Sequence, residues 1–299
     1  MSALKVRIKY TKSELLKFIG HLDVMRYFQK AVKRAGFDIA YSQGFSPHQL
    51  MSFAAPLALG VTSEGEYFDA EFHSVVSSDE FVRRFNEQMA AGMEVKAARL
   101  LPDDAKNSMS IVAASDYLIT IRDEVPVDVK ERFLAYVPHL LEQDTIEVLK
   151  KTKKNEKIED IKPGIYKVSV ESYVSARTLA GDPVQEEELA ESEDIQEENT
   201  VTEMESTHIT DGDHLAAVNA GRTNGNQYVD DICATDKLYM LLATGSEYNL
   251  KPELIVQAIC KAIGYEYNRF DYRIHRLETY IRNEDGQLVS LLETGSVIS

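Results

Sequence analysis

The sequence has no tryptophan, two cysteines, and no apolar run long enough for a transmembrane helix, which needs about 18 or more apolar residues. Cys233 and Cys260 lie 27 residues apart, a spacing typical of neither a disulfide framework nor a metal site, and this favours a reducing compartment. The first ten residues contain no signal-peptide core and no cleavage site of small residues. We therefore expect a cytoplasmic protein with no membrane contact.

Several catalytic and cofactor motifs are also missing. The chain has no phosphate-binding P-loop, no dinucleotide fingerprint and no nucleophile elbow. It has no cysteine triplet for an iron–sulfur cluster and no zinc-ligand spacing. The sequence therefore predicts no metal site and no cofactor in this chain.

The net charge of −16 is concentrated in one segment. Residues 182–231 contain fifteen acidic residues and one arginine, so the rest of the chain carries only −2. Residues 1–50 carry +6. The acidic segment has few aromatic residues and no periodicity, and we expect residues 177–231 to form a disordered insert. The net charge therefore describes this insert and does not argue against a nucleic-acid partner.

Hydrophobic periodicity in the first half predicts the order β-α-β-β-α-β. Residues 4–10 alternate between apolar and basic side chains, as in a half-buried strand, and residues 21–35 have apolar residues at helical spacing. The remaining predicted elements are strands 49–59, 66–72 and 93–101 and a helix that follows the N-cap signal at 77–80 and ends near 91. This order is the ferredoxin-like pattern.

The second half repeats the pattern more loosely. The predicted helices are 126–141 and 253–262, and the predicted strands are 116–123, 145–150, 165–174, 237–242 and 272–281. The sequence thus predicts an α+β fold of two ferredoxin-like domains in tandem, at 1–105 and 115–285. A linker, 106–114, joins them, the acidic insert interrupts the second, and a frayed tail follows residue 283, with 286–299 outside both domains.

Most of the chemically capable side chains lie between residues 41 and 66. Gly44 and Pro47 mark residues 41–48 as a loop, which carries Tyr41, Ser42, Ser46 and His48. Such a loop can present backbone N–H groups to an anion. It can equally be a tight turn with an exposed His48.

Two further candidates are His21 and the pair Glu64 and Glu66. His21 opens the predicted helix, where an imidazole can serve as acid or base or contact a phosphate, or can simply cap or pack. Two residues apart on a strand, Glu64 and Glu66 would share one face. There they could perform acid/base work or bind a hard cation, or they could belong to a solvated turn.

Basic residues occur in two patterns. Lys5, Arg7 and Lys9 form a stripe on the first strand, which could follow a phosphate backbone or could pair with Asp69 and Glu71 across a neighbouring strand. The stronger candidate for an electropositive surface is on the first predicted helix: Arg26, Lys30, Lys33 and Arg34.

Three segments resemble the bacterial radical-SAM-linked family, a domain of unknown function. They are VRIKYTK at 6–12, KFIGHLDVMRYFQKAVKRAGF at 17–37 and YSQGFSPHQLMSFAAPLALGVTSEGEYFD at 41–69, with a weaker similarity over 237–281. The resemblance implies no activity of its own. It implies a separate radical SAM enzyme as partner, and that enzyme would carry the iron–sulfur cluster and S-adenosylmethionine.

The same segments are more distantly similar to the ferredoxin-like RNA endonucleases that process CRISPR repeats, with His21 as the matching position. Our leading hypothesis is an accessory protein that presents RNA or a ribosomal substrate to the radical SAM enzyme. An RNA-processing enzyme that uses His21 and His48 as acid and base is the alternative. A third hypothesis is a protein–protein adaptor with an acidic insert.

Overall fold

Strands and helices follow one another along the chain in the order that the periodicity predicts, with differences at a few elements. The computed structural model describes residues 3–151, 156–173, 235–246 and 248–299, and the predicted insert lies outside them. The helices are α1 (His21–Arg34), α2 (Ser78–Asn86), α3 (Ser108–Ile111), α4 (Val127–Leu140) and α5 (Pro252–Ala262). The strands are β1 (Leu4–Lys12), β2 (Met51–Phe53), β3 (Thr62–Phe72), β4 (Met93–Leu100), β5 (Val112–Ile121), β6 (Glu147–Lys151), β7 (Glu156–Asp160), β8 (Ile165–Tyr173), β9 (Thr235–Ala243), β10 (Tyr272–Arg282) and β11 (Leu288–Ser290).

One large sheet runs through both halves of the chain. Its nine strands include the path β4-β1-β3-β10-β5-β9-β8, with β2 on β3 and β11 on β10, while β6 and β7 form a separate hairpin. Every pairing of the large sheet is antiparallel except β3 with β10. The predicted α+β class is confirmed, as a mostly antiparallel sheet with few helices.

The two halves meet where β3 pairs with β10. This parallel pairing consists of two residue pairs, Thr62 with His275 and Ser63 with Arg276. The described residues belong to one compact unit. Two ferredoxin-like domains in tandem are not confirmed, and the predicted boundaries at 105 and 115 stay predictions.

Two apolar cores lie between the helices and the sheet. In the first half, α1 buries Val24, Phe28, Ala31 and Val32, whose spacing of three and four residues places them on one helix face. They pack with aromatic residues of the strands and of α2, among them Phe68, Phe81 and Phe85. In the second half, α4 and α5 cover β5 and β9 through a second cluster that contains Phe133, Ile255 and Ile259.

The basic stripe of β1 is not a free surface. The Arg7 guanidinium is fully buried and donates two hydrogen bonds to the Asp69 carboxylate, at 2.7 and 2.9 Å. Lys9 pairs with Glu278 at 2.6 Å, and Lys5 lies opposite Glu71 in the β1–β3 register. The sequence left two roles open for this stripe, contact with a phosphate backbone and cross-strand ion pairing. The structure supports cross-strand pairing, between Arg7 and Asp69.

Several predicted elements differ from the structure. Helix α2 ends at Asn86 and not near residue 91, and β3 begins at Thr62 and not at residue 66. The strand expected over 49–59 is limited to Met51–Phe53, because only these residues pair with β3. The charged turn expected at 151–157 overlaps a hairpin that contains the unpredicted strand β7.

The tail also differs, since the expectation that it is frayed is wrong. Strand β11 pairs with β10, and Leu291 and Ile298 are buried. The Leu291 carbonyl accepts a hydrogen bond from Arg7 at 3.2 Å, and Ser296 bridges to Leu100. The apolar residues of the tail therefore order it against the first half.

Candidate functional site

The loop of residues 41–48 (the 41–48 loop) is closed at its base by contacts between Ser42 and His48. The Ser42 N–H donates to the His48 carbonyl at 2.8 Å, and the His48 N–H donates to Ser42 Oγ at 3.1 Å. Ser42 Oγ and His48 Nδ1 lie 2.8 Å apart. Gly44 has a φ of 116°, which few other residues tolerate. The tip of this closed loop carries a fully exposed Phe45.

The 41–48 loop lies against α1. Gln49, just after the loop, donates from Nε2 to the Gln29 carbonyl at 3.2 Å and pairs with Tyr41 in an isolated bridge. Lys33 Nζ lies 5.9 Å from the centre of the Tyr41 ring, in a cation–π arrangement. The hydrogen bond from Gln49 and the nearby Lys33 ammonium hold the pKa of the Tyr41 phenol below its usual value.

The basic residues of α1 lie on its exposed face. Arg26 makes one surface contact, at 3.4 Å to Asp23, and Arg34 donates to the Gln88 carbonyl at 3.1 Å. Lys30 and Lys33 are exposed as well. Surface contacts of this kind contribute little free energy. These exposed side chains can therefore reorient toward an anionic partner.

His21 is positioned by packing. It is the first residue of α1, and its ring meets the Phe53 ring edge-on, with 5.4 Å between the centres. Burial, and then the Lys12 ammonium, lower the pKa of His21, while the Glu66 carboxylate opposes this shift. These contacts support the packing alternative.

The structure does not bring His21 and His48 together. The 41–48 loop contacts α1 through Gln29 and Lys33. A helix rises 1.5 Å per residue, so Gln29 lies about 12 Å along the axis from His21. Among the described residues no contact links the two imidazoles, and their action as an acid and base pair stays a prediction.

Glu64 and Glu66 have different surroundings. Glu66 is buried and accepts a hydrogen bond from Arg276 at 2.8 Å, whereas Glu64 is half exposed and lies 3.6 Å from His275 Nε2. The contact with His275 keeps the pKa of the Glu64 carboxyl below its usual value. The β1–β3 register shifts between Tyr10, opposite Glu66, and Lys12, opposite Ser63, so β3 has an extra residue there. This bulge breaks the alternation from which a shared face was predicted.

Sequence reasoning missed the role of Arg276, which is buried at the junction of β3 and β10. Its guanidinium donates to Glu66, to the Ala55 carbonyl at 3.2 Å and to the Tyr117 hydroxyl at 3.1 and 3.3 Å. Beside it is a cavity of about 240 Å³ whose wall includes Leu57, Tyr117, Leu250 and Pro252. The signal for this site was the spacing Tyr272, Ile274 and Arg276, which places a charge on the buried face of β10.

A second buried carboxylate, Asp116, was also missed. Its oxygens accept hydrogen bonds from Tyr280 at 2.9 Å, from Tyr239 at 3.2 Å and from the Glu278 N–H at 2.8 Å. Burial raises the pKa of Asp116, although these bonds oppose the shift. Both oxygens have partners, so we interpret the group as part of the structural network of the sheet.

Within the described residues, no group of three or more His, Cys, Asp or Glu side chains could hold a metal ion. None of the helices in this part of the chain is long and apolar enough to cross a membrane.

A protein-family model matches more than half of the chain. The model of a family described as "Uncharacterized protein conserved in bacteria (DUF2344)" matches residues 5–209. The chain belongs to this family. The DUF2344 match includes α1, the 41–48 loop and β3, while Arg276 lies outside it. The description names no activity, and the link to radical SAM proteins stays a prediction.

Other comparisons add little about function. No curated protein matches the chain. A chain of the solved "Crystal Structure of a Cbf5-Nop10-Gar1 Complex" is similar with a TM-score of 0.37 and 8% identity, over 93% of this chain and 50% of that chain. The chain thus spans half the length of that protein, and we draw no functional conclusion from the similarity.

Proposed function

We propose that this protein recognises RNA through α1 and the 41–48 loop and presents it to a separate radical SAM enzyme. The observation that carries the proposal is the contact between Lys33 and Tyr41, at 5.9 Å, because it joins the basic helix face and the loop into one surface. This surface combines two kinds of side chain that single-stranded nucleic acids bind. Cations neutralise phosphates, and exposed aromatic rings stack with bases.

The closed base of the 41–48 loop and the exposed ring at its tip support this function. Phe45 is fully exposed, and an exposed aromatic ring at the tip of a closed loop does not contribute to the core. The contacts between Ser42 and His48 close the loop below it, so the ring stands at the surface, where a base can stack on it. Ser42, Ser46 and His48 add hydrogen-bonding groups near the ring.

The partner enzyme in this proposal is inferred from the resemblance to radical-SAM-linked proteins. The iron–sulfur cluster and S-adenosylmethionine would belong to the partner, and this chain would act in the cytoplasm without catalysis of its own. The separation of His21 from the 41–48 loop supports an accessory function over an RNA-cleaving one.

The proposal extends to the fold, as two ferredoxin-like halves that share a sheet. Pairing in the first half follows the order β4-β1-β3, with β2 on β3, and in the second half the order β10-β5-β9-β8. In each half the first strand thus lies between the fourth and the third, and the second pairs with the third, as a split βαβ unit requires.

Replacing Arg26, Lys30, Lys33 and Arg34 together with glutamine tests the RNA surface. We expect the affinity for a fluorescein-labelled single-stranded 20-mer of uridine to fall at least about tenfold at low salt. The slope of log affinity against log salt should become shallower by up to about 2.8, since each phosphate contact to a single strand contributes about 0.7. Fluorescence anisotropy over a salt series measures both quantities.

A matched variant controls for net charge. It replaces four exposed cations away from this surface with glutamine: Lys96, Lys157, Lys167 and Arg282. This variant should bind the 20-mer with an unchanged salt slope. Equal losses in the two variants would contradict a local RNA surface, as would no loss in either.

A further inference from the structure

A second basic surface lies at the other end of α1, where the two halves of the chain meet. The carbonyl of Lys17, in the 3-10 helix Glu14–Phe18, accepts a hydrogen bond from the Gly60 N–H at 2.8 Å. The neighbouring Leu59 carbonyl accepts one from Arg269 Nη2 at 3.3 Å. Residues 59 and 60 thus hold the segments around Lys17 and Arg269 side by side.

Further cations lie beside these two. The Arg122 N–H donates to the Asp271 carbonyl at 2.8 Å, which places Arg122 next to the 3-10 helix Arg269–Asp271, and an exposed Arg273 follows two residues later. The pKa of Lys17 is lowered by burial and then by the charges of Arg122 and Arg273, so the cations are close enough to repel one another. An anion would relieve this repulsion.

The carboxylate of the 3-10 helix Arg269–Asp271 has partners of its own. Asp271 accepts hydrogen bonds from Tyr265 at 2.8 Å and from Asn268 at 2.9 Å. These neutral donors leave its charge in place, but they hold the carboxylate on its own segment.

Exposed aromatic rings are interleaved with the cations. Phe18 is 63% exposed and Phe270 is 69% exposed. Lys17 Nζ lies 5.2 Å from the centre of the Phe18 ring, and the Arg269 guanidinium lies 5.5 Å from that of Phe270. Each ring thus lies exposed beside a cation, a combination on which unpaired bases can stack.

We propose that Lys17, Phe18, Arg122, Arg269, Phe270 and Arg273 (the Arg269 patch) form a second contact for single-stranded RNA. Unpaired bases stack on Phe18 and Phe270, and the cations hold the neighbouring phosphates. A duplex keeps its bases stacked inside, so it cannot use the two rings. This inference rests on the proposed function and deepens it, because it specifies RNA with unpaired bases as the substrate class.

The position of the Arg269 patch suits a strand that also reaches the 41–48 loop. Phe18 lies three residues before α1 begins, and the loop contacts the helix at Gln29 and Lys33. The 14 residues of α1 span about 21 Å. One RNA strand along α1 could therefore contact both surfaces.

The double substitution Phe18→Ala and Phe270→Ala tests the stacking. For the labelled 20-mer of uridine we expect the affinity to fall about 25-fold or more, since the loss of each stacked base costs about fivefold or more. Binding of the same 20-mer annealed to oligoadenosine should not change. A control variant, Lys157→Gln with Ile158→Ala, alters exposed side chains of the β6–β7 hairpin and should bind like the wild type.

The double substitution Arg269→Gln and Arg273→Gln tests the charges. We expect the salt slope to become shallower by up to about 1.4. Urea unfolding of each variant shows that it is folded, which is expected because the replaced side chains are exposed. A 20-residue polyglutamate peptide serves as the purely anionic probe, and the Phe18 and Phe270 variant should bind it like the wild type.

The outcomes separate this inference from the proposed function. If the Arg269 patch variants lose affinity and the α1 variant does not, the result supports RNA binding by the patch and contradicts RNA binding by the α1 surface. If only the α1 variant loses affinity, the patch is overturned. Polyglutamate competing as well as RNA, with no effect of the two phenylalanines, would also overturn it. A wild-type protein that binds no RNA would overturn both.

Discussion

Replacing Arg276 with leucine should lower the free energy of unfolding by about 3–5 kcal/mol, the range found when one partner of a buried ion pair is removed. Both partners are nearly inaccessible to water, with side-chain exposures of 5% for Arg276 and 4% for Glu66, and they are joined at 2.8 Å. Burial by itself lowers the pKa of Arg276, but the Glu66 carboxylate and the Tyr117 hydroxyl raise it above its usual value. Without Arg276, the Glu66 charge would stay buried beside an apolar cavity.

Urea unfolding followed by far-ultraviolet circular dichroism measures this loss. Adding Glu66→Leu to Arg276→Leu should recover part of the stability, because it removes the carboxylate that Arg276→Leu leaves buried without its guanidinium. Arg83→Ala, which breaks an exposed pair with Glu80, should cost less than about 1 kcal/mol. An Arg276→Leu variant within about 1 kcal/mol of the wild type would show that the ion pair does not stabilise the junction of the halves.

Replacing Gly65 with alanine should be the second most damaging change. A Cβ atom at this position would lie 2.4 Å from Glu278 Cα and 2.8 Å from the Leu277 carbonyl oxygen. Both atoms belong to the backbone of β10, so relief requires β3 or β10 to move. We expect a loss of about 1–3 kcal/mol or more in urea unfolding, from overpacking and from a weakened hydrogen bond between Thr279 and the Gly65 carbonyl.

Gly20→Ala is the matched control for Gly65→Ala. Gly20 has a φ of −75°, which alanine adopts freely, and a Cβ there would have its nearest neighbour at 3.7 Å. Gly20 is the N-cap of α1, where alanine is less favourable than glycine, so this variant should lose no more than about 1 kcal/mol. If Gly65→Ala were as stable as Gly20→Ala, the close approach of β3 and β10 would not constrain the fold.

The local elements were predictable because their signals are local. Alternation of Val6, Ile8 and Tyr10 indicates β1, and the apolar spacing of α1 indicates a helix whose observed bounds differ by one residue from those predicted. The pairing of Arg7 with Asp69 was one of two open alternatives. Deciding between them required the register of β1 on β3, which alternation does not specify.

The remaining features depend on contacts between distant parts of the chain. The pairing of β3 with β10 joins residues more than 200 positions apart, and no local sequence pattern predicts it. The bulge near Glu64 and Glu66 depends on the partner strand, so periodicity applied to β3 alone does not predict their different surroundings. The ordered tail was missed for the same reason, because Leu291 is buried only through contacts with other elements.

The candidate site combines both kinds of feature. The composition of the 41–48 loop and the basic residues of α1 were visible in the sequence, so each was predicted as a contact surface. The loop and the helix form one surface through contacts of Gln49 with Gln29 and of Lys33 with Tyr41. The sequence does not show these contacts. The Arg269 patch brings together residues from positions 17, 122 and 269–273, and it needed the structure.

The most direct test of the proposed function is a native tagged purification from the source cells, with and without nuclease. It compares the wild type with the variant that has glutamine at positions 26, 30, 33 and 34. We predict that RNA accompanies the wild type and is largely lost from the variant, while a radical SAM protein remains after nuclease treatment. RNA recovered equally with both proteins, or a wild type with neither RNA nor a radical SAM protein, would contradict the account.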